Sequence, residues 1–199
     1  MNRNLTFAKD RLIDHFLLAV ITAISETVVC RAATSWFPGQ PYTVSVVIAM
    51  TVLTAMRWGF PAAAVAAVGG IAFCAASGAS ASQFAVYAIG NIGALAAMMP
   101  LSLWGKEAVR RDVFKTLVTV TAAYLGAECG RWLVSLSCGG QPADIIRFLT
   151  TDALSLVFGA VILLIARKSD GLFEDQKTYL FRLQKEKEAK KDDTPYDTE

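Results

Sequence analysis

Residues 12–31 read Leu12-Ile13-Asp14-His15-Phe16-Leu17-Leu18-Ala19-Val20-Ile21-Thr22-Ala23-Ile24-Ser25-Glu26-Thr27-Val28-Val29-Cys30-Arg31. A helix that crosses a bilayer takes about 20 residues, and this stretch supplies that length with its charges confined to the ends and to Glu26. It is longer than the apolar region of a cleavable signal, and it opens on Asp14 and His15. Val28-Val29-Cys30 lacks the small residue that precedes a lipoprotein cysteine. The stretch therefore reads as a first transmembrane helix.

Five more apolar stretches follow the same pattern: Tyr42–Trp58, Gly59–Ser77, Gln83–Trp104, Val113–Cys138 and Asp144–Ala166. Gly and Pro punctuate their boundaries, as in Trp36-Phe37-Pro38-Gly39-Gln40-Pro41 and Cys138-Gly139-Gly140-Gln141-Pro142. The composition agrees. Of 199 residues, 54% are hydrophobic and only 18% charged, and the mean hydropathy is +0.44. A soluble domain carries nearer a quarter charged residues, and a small globule has little core in which to hide such apolarity. These figures exclude a soluble enzyme domain and a disordered chain. The fold expected is an all-α membrane protein, a six-helix transmembrane bundle over residues 1–168, followed by a cytoplasmic segment over 169–199.

Lys and Arg set the orientation. With the N-terminus inside, all but three of the 19 cationic residues fall on the inner side. The exceptions are Arg31, Arg131 and Arg147. The positive-inside rule then places both termini in the cytoplasm and the protein in the cell membrane.

Those three arginines share the apolar stretches with three carboxylates, Glu26, Glu128 and Asp152. Each is expensive at a helix centre, about 2.5–3.5 kcal/mol on insertion scales. The topology puts all six at similar depth toward the outside, with Asn91 slightly deeper. Glu128 and Arg131 are three apart and share a helix face. The expectation is a polar cavity opening outward, lined by the first, fourth, fifth and sixth spans. Two other readings of the same residues stand beside it: structural ion pairs that hold the bundle together, and an interface with another membrane subunit.

Other constellations are less informative. One histidine, His15, is too few for a haem held between two imidazoles. The cysteines Cys30, Cys74, Cys129 and Cys138 have no metal-ligand spacing. An oxidising exterior would permit a Cys30–Cys138 disulfide, whereas buried reduced cysteine is the default. Small residues recur at spacing four: Ala19 and Ala23; Ala62, Ala66 and Gly70; Gly90 and Ala94; Gly93 and Ala97; Gly126 and Gly130. Such faces let helices approach closely. No phosphate loop, nucleophile elbow or HExxH helix occurs, so the expectation is a protein without catalytic residues, cofactor, metal or nucleic-acid partner.

The tail is a separate region. Leu172, Phe173, Gln176, Tyr179, Leu180 and Leu183 recur at helical spacing, which predicts an amphipathic helix on the inner membrane face or against a cytoplasmic partner. From Lys185 onward the residues are almost all charged, which predicts disorder.

These features together resemble the substrate-binding S components of energy-coupling factor (ECF) transporters. Ala19-x-x-x-Ala23 is similar to the alanine motif by which S components meet the transmembrane coupling subunit. Arg57-Trp58-Gly59-Phe60-Pro61-Ala62-Ala63-Ala64 through Gly69-Gly70 resembles their cationic turn and small-residue helix. The likeness covers about Leu12 to Ala166. It implies a subunit that binds a vitamin or similar small solute from outside and works with a coupling subunit and ATPases. Glu26, Arg31, Asn91, Glu128, Arg131, Arg147 and Asp152 would contact the solute, Trp36 or Trp132 would stack on it, and the loop at Trp36-Phe37-Pro38 would cover it. Two alternatives remain: a non-catalytic subunit or scaffold of a larger membrane complex, and a small ion-coupled carrier with Glu128 or Asp152 as the titrating group.

Overall fold

The computed structural model describes residues 3–39 and 42–192, with side chains from 9 to 39 and from 42 to 186. Within these the chain is all-helical: α1 Arg3–Trp36, α2 Val47–Trp58, α3 Ala62–Ser77, α4 Ala81–Gly90, a 3-10 segment Asn91–Ala97, α5 Met98–Trp104, α6 Lys106–Arg111, α7 Val113–Ser137, α8 Asp144–Thr151, α9 Ala153–Ala166 and α10 Gln176–Asp192. Two helical stretches, Lys9–Trp36 and Ala81–Trp104, are long and apolar enough to cross a membrane. A third qualifies if α8 and α9, bent by 42° at their junction, count as one span.

α2 is the centre. From Val47 to Met56 all its residues but Met50 are buried, as expected of a helix apolar on every side. α1, α3, the 3-10 segment, α7 and α9 surround it. α1 buries a single stripe, Leu18, Thr22, Glu26 and Cys30, spaced four apart. Its other faces expose Phe16, Leu17, Ile21, Ile24 and Val28. Ala19 is half-buried and packs against the core, and Ala23 is half-buried.

The first difference from expectation lies at 42–46. The sequence places a helix from Tyr42, but residues 42–45 carry no regular structure, Val46 bends into helical angles (φ −92°, ψ −8°), and α2 begins at Val47. Thr43-Val44-Ser45-Val46 is β-branched at three of four positions, and such residues are weak helix formers. The second lies in the fourth stretch, where α4 tightens into 3-10 geometry over Asn91–Ala97. Pro100 sits one turn further on and cannot donate to the carbonyl of Ala96, so the regular ladder is already interrupted there.

The 3-10 segment and α7 pack backbone against backbone. A Cβ placed on Gly93 would run into the carbonyl of Gly126, and one on Gly126 into that of Gly93. Gly90 stands in the same relation to Arg131 and Gly130. Gly93→Ala is therefore expected to push two backbones apart and cost about 1–3 kcal/mol, as overpacking does. Gly159→Ala is the control, because a Cβ there would meet Val120 at an ordinary 3.5 Å. Thermal unfolding of both variants should show a clear drop for the first and none for the second.

At one end of the bundle, residues 167–175 fold back as a strap. Phe173 is completely buried. Arg57 donates to Asp14 (2.8 and 2.9 Å) and to the carbonyls of Gly171 and Leu172. Arg110 bonds Glu174 (2.6 Å) and Asp170 (2.8 Å), and Lys106 bonds Asp175 (2.5 Å). Burial disfavours the Asp175 charge, but the hydrogen bonds from Lys106 and Thr178 outweigh it and hold this carboxyl below its usual range. The tail helix thus starts at Gln176, not at Leu172, because Phe173 is drawn into the core. It continues to Asp192, so the charged run from Lys185 is helical where its composition predicts disorder. The rest of that run, 193–199, lies outside the described residues.

Candidate functional site

At the other end of α2, three interruptions of regular helix meet: the irregular residues 42–46, the 3-10 segment, and the break between α8 and α9 at Thr151-Asp152. Each frees backbone or side-chain polar groups that must find partners. They find one another.

Arg131 on α7 is the hub. Its Nε donates to Asn91 Oδ1 at 2.6 Å, and its Nη1 donates to Glu128 Oε1 at 2.7 Å and to Asp152 Oδ2 at 2.6 Å. The guanidinium lies 4.9 Å from the centre of the Tyr87 ring, a cation–π distance. Asp152 also accepts from Thr43 Oγ1 (2.9 Å) and from Ser155 Oγ. Ser155 Oγ in turn accepts from the Ser45 N–H (2.8 Å). Glu26 Oε2 accepts from the Val46 N–H (2.8 Å), and Ser45 Oγ from the Val47 N–H (3.1 Å). The first N–H groups of α2 are thus met by Glu26 from α1 and by Ser45 from the segment that leads into the helix, as a helix end buried from water requires. Glu26, Asn91, Glu128, Arg131 and Asp152 are all at most 3% exposed.

Five of the eight residues expected to bind solute therefore come together in one buried network. The other three do not join it. Arg31 is exposed on α1, Trp36 is 75% exposed at the end of that helix, and Arg147 is exposed on α8. Trp132 is half-buried, with its indole N–H on the carbonyl of Pro142. The cysteines are free, Cys30 and Cys74 buried and Cys129 and Cys138 exposed, so Cys30 and Cys138 are not joined.

Above the network opens a cavity of about 420 Å³ among α4, the end of α7 and α8. Gln83, Tyr87, Ser135, Asp144, Arg147 and Phe148 are among its walls. That volume lies within the range of small-molecule sites, about 300–1,000 Å³. Thr43 and Tyr87 line this cavity and also a pit below it, walled by Ser45, Asn91, Arg131 and Asp152 and too tight for a water molecule. A smaller lobe of about 160 Å³, between Cys30, Phe37, Tyr42 and Phe73, touches Thr43 as well.

Sequence reasoning found the charges and missed their partners. Thr43, Ser45, Tyr87 and Ser155 read as ordinary residues of apolar stretches. The available signals were the β-branched run after Pro41 and the Asp152-x-x-Ser155 spacing, which puts both side chains on one turn. Compared with known proteins, the chain matches no family model, no curated protein and no solved structure.

Proposed function

We propose that this protein is the solute-binding subunit of an ECF-type uptake transporter. In this reading it has six membrane spans and cytoplasmic termini, does no chemistry itself, and receives solute from outside in the cavity beside Tyr87. One observation carries the reading: three interrupted helical segments converge on a buried ionic network that forms the floor of a cavity of small-molecule size. Irregular backbone at membrane depth is tolerated where protein buries it or where it lines a cavity. Discontinuous helices with polar side chains at their broken ends are how many membrane proteins build solute sites. The strap end supports the proposed sidedness, since Arg57, Lys106 and Arg110 gather there.

A second reading is favoured by a specific observation. Arg131 is buried and bonded to two carboxylates and an amide, so the network is also what a structural hub of a larger complex would need. Affinity purification of the tagged full-length protein from its native membrane separates the two. The transporter reading expects a membrane coupling subunit, nucleotide-hydrolysing ATPases and a co-bound small molecule, identified by mass spectrometry. Recovery of other membrane proteins with neither ATPases nor solute would replace it with the complex-subunit reading.

A further inference from the structure

The charges that line the cavity and its floor cancel in number but not in place. Beneath the cavity, Arg131 and Asp152 bond each other at 2.6 Å in the pit they share with Thr43 and Tyr87, so the floor adds no net charge. On the wall, Asp144 and Arg147 stand three apart on α8, on one face of the helix. They do not pair with each other. Among the described residues nothing bonds the Arg147 guanidinium, and only its backbone carbonyl is used, by Thr150 and Thr151. Asp144 accepts the Gln141 N–H on Oδ2 at 2.8 Å, which leaves Oδ1 without a partner among those residues.

The neutral lining groups are open as well. The hydroxyls of Tyr87 and Ser135 have no hydrogen-bond partner among the described residues. Gln83 is held through its Oε1, which accepts the Ser80 N–H at 2.8 Å, so its amide nitrogen is free to donate. Gly140 keeps one corner clear: a Cβ there would strike Ser135 Oγ and stand 3.0 Å from Asp144 Oδ2. A hydroxyl and a carboxylate thus border the same small space, which suits a donor such as an ammonium group. Tyr87 and Phe148 add aromatic surface to the walls.

We propose that the cavity takes a zwitterion: a small molecule with an ammonium, a carboxylate and an aromatic or apolar body, as in an apolar α-amino acid. This rests on the solute-binding reading above and names its substrate class. The Arg147 guanidinium receives the carboxylate, Asp144 and Ser135 receive the ammonium, and Tyr87 and Phe148 flank the body. Charge-assisted hydrogen bonds at both ends fix one orientation, and a solute with a single charge leaves one wall group unanswered. The volume of about 420 Å³ lies toward the small end of the range of such sites, which suits a compact solute.

Three probes share one ring and differ in charge: phenylalanine, 2-phenylethylamine, which lacks the carboxylate, and 3-phenylpropanoate, which lacks the ammonium. Each is titrated into the full-length protein in lipid nanodiscs at neutral pH, with thermal unfolding as the readout. Phenylalanine is expected to bind about tenfold or more tighter than either analogue. Arg147→Gln should bring it down to the affinity of the amine, and Asp144→Asn to that of the acid. Arg147→Gln alters an exposed side chain, and Asp144→Asn keeps an acceptor for the Gln141 N–H, so both should melt with the parent when no probe is present. A singly charged probe that binds as tightly as phenylalanine, or a preference unchanged in either variant, would overturn the proposal and leave the solute-binding reading standing. No shift from any probe would also overturn it. In that case a solute of another class co-purifying with the protein would keep the solute-binding reading, and its absence would remove both.

Discussion

Arg131→Met should leave the bundle barely folded. The substitution keeps the length and apolar stem of the side chain and removes the guanidinium alone. Glu128 and Asp152 would then face each other across the vacated position, and Asn91 Oδ1 would lose its donor. Removing one partner of a buried ion pair costs about 3–5 kcal/mol, because the remaining charge stays buried and unpaired. Domains of this size hold about 5–15 kcal/mol in total. Thermal unfolding in a single detergent should show a fall on the order of 10 °C or more, with loss of the monodisperse peak in size-exclusion chromatography. Arg147→Met, made on an exposed side chain, should leave both unchanged. A melting temperature within a degree or two of the parent for Arg131→Met would show that the network carries little of the fold.

The same experiment bears on why the network exists. Buried ion pairs are often no better for stability than apolar residues of similar shape. The triple variant Arg131→Met, Glu128→Gln, Asp152→Asn removes the charges together. It is expected to recover much of the stability that the single variant loses. Full recovery would mean that the charges are not needed to hold the helices, and that their place beneath the cavity is their reason for being there.

Depth was legible in the sequence, and facing was not. Glu26, Asn91, Glu128, Arg131 and Asp152 lie at similar levels of their apolar stretches, and they meet. Arg31 lies only five residues from Glu26, but at 100° per residue that is about 140° around the helix. The buried stripe of α1 runs through Glu26 and Cys30, so Arg31 is carried off it. Arg147 stands five residues before Asp152, and the bend at Thr151-Asp152 turns it further toward the cavity rim. The glycine spacing was legible too: Gly90 and Gly93 on one side and Gly126 and Gly130 on the other are the residues that mate. The irregular segment at 42–46 was not. A short run of Val, Ser and Thr reads the same by periodicity whether it is helical or irregular. Its partners lie twenty residues back at Glu26 and more than a hundred residues on at Thr151, Asp152 and Ser155, and no local pattern announces them.

Phe173→Ala should be the most damaging substitution outside the network. By periodicity Phe173 belongs to an amphipathic tail, where truncating an aromatic side chain would matter little. In the fold it is fully buried within the main apolar core, and Phe→Ala changes at such sites cost about 3–5 kcal/mol. The loss should not stop at the cavity left behind. The carbonyls of Gly171 and Leu172 hold Arg57, and Glu174 holds Arg110 and Arg182, so releasing the aromatic anchor also loosens the ties to α2, α6 and α10. Arg110→Gln removes ties to the same strap from the other side. The two changes combined should therefore cost less than the sum of their separate effects, because contacts already lost cannot be lost twice. Limited proteolysis should cut near residues 167–176 in Phe173→Ala and spare the parent protein. If a chain ending at Ser169 melts at the same temperature as the full-length protein, the strap is an appendage and the anchoring role of Phe173 is refuted.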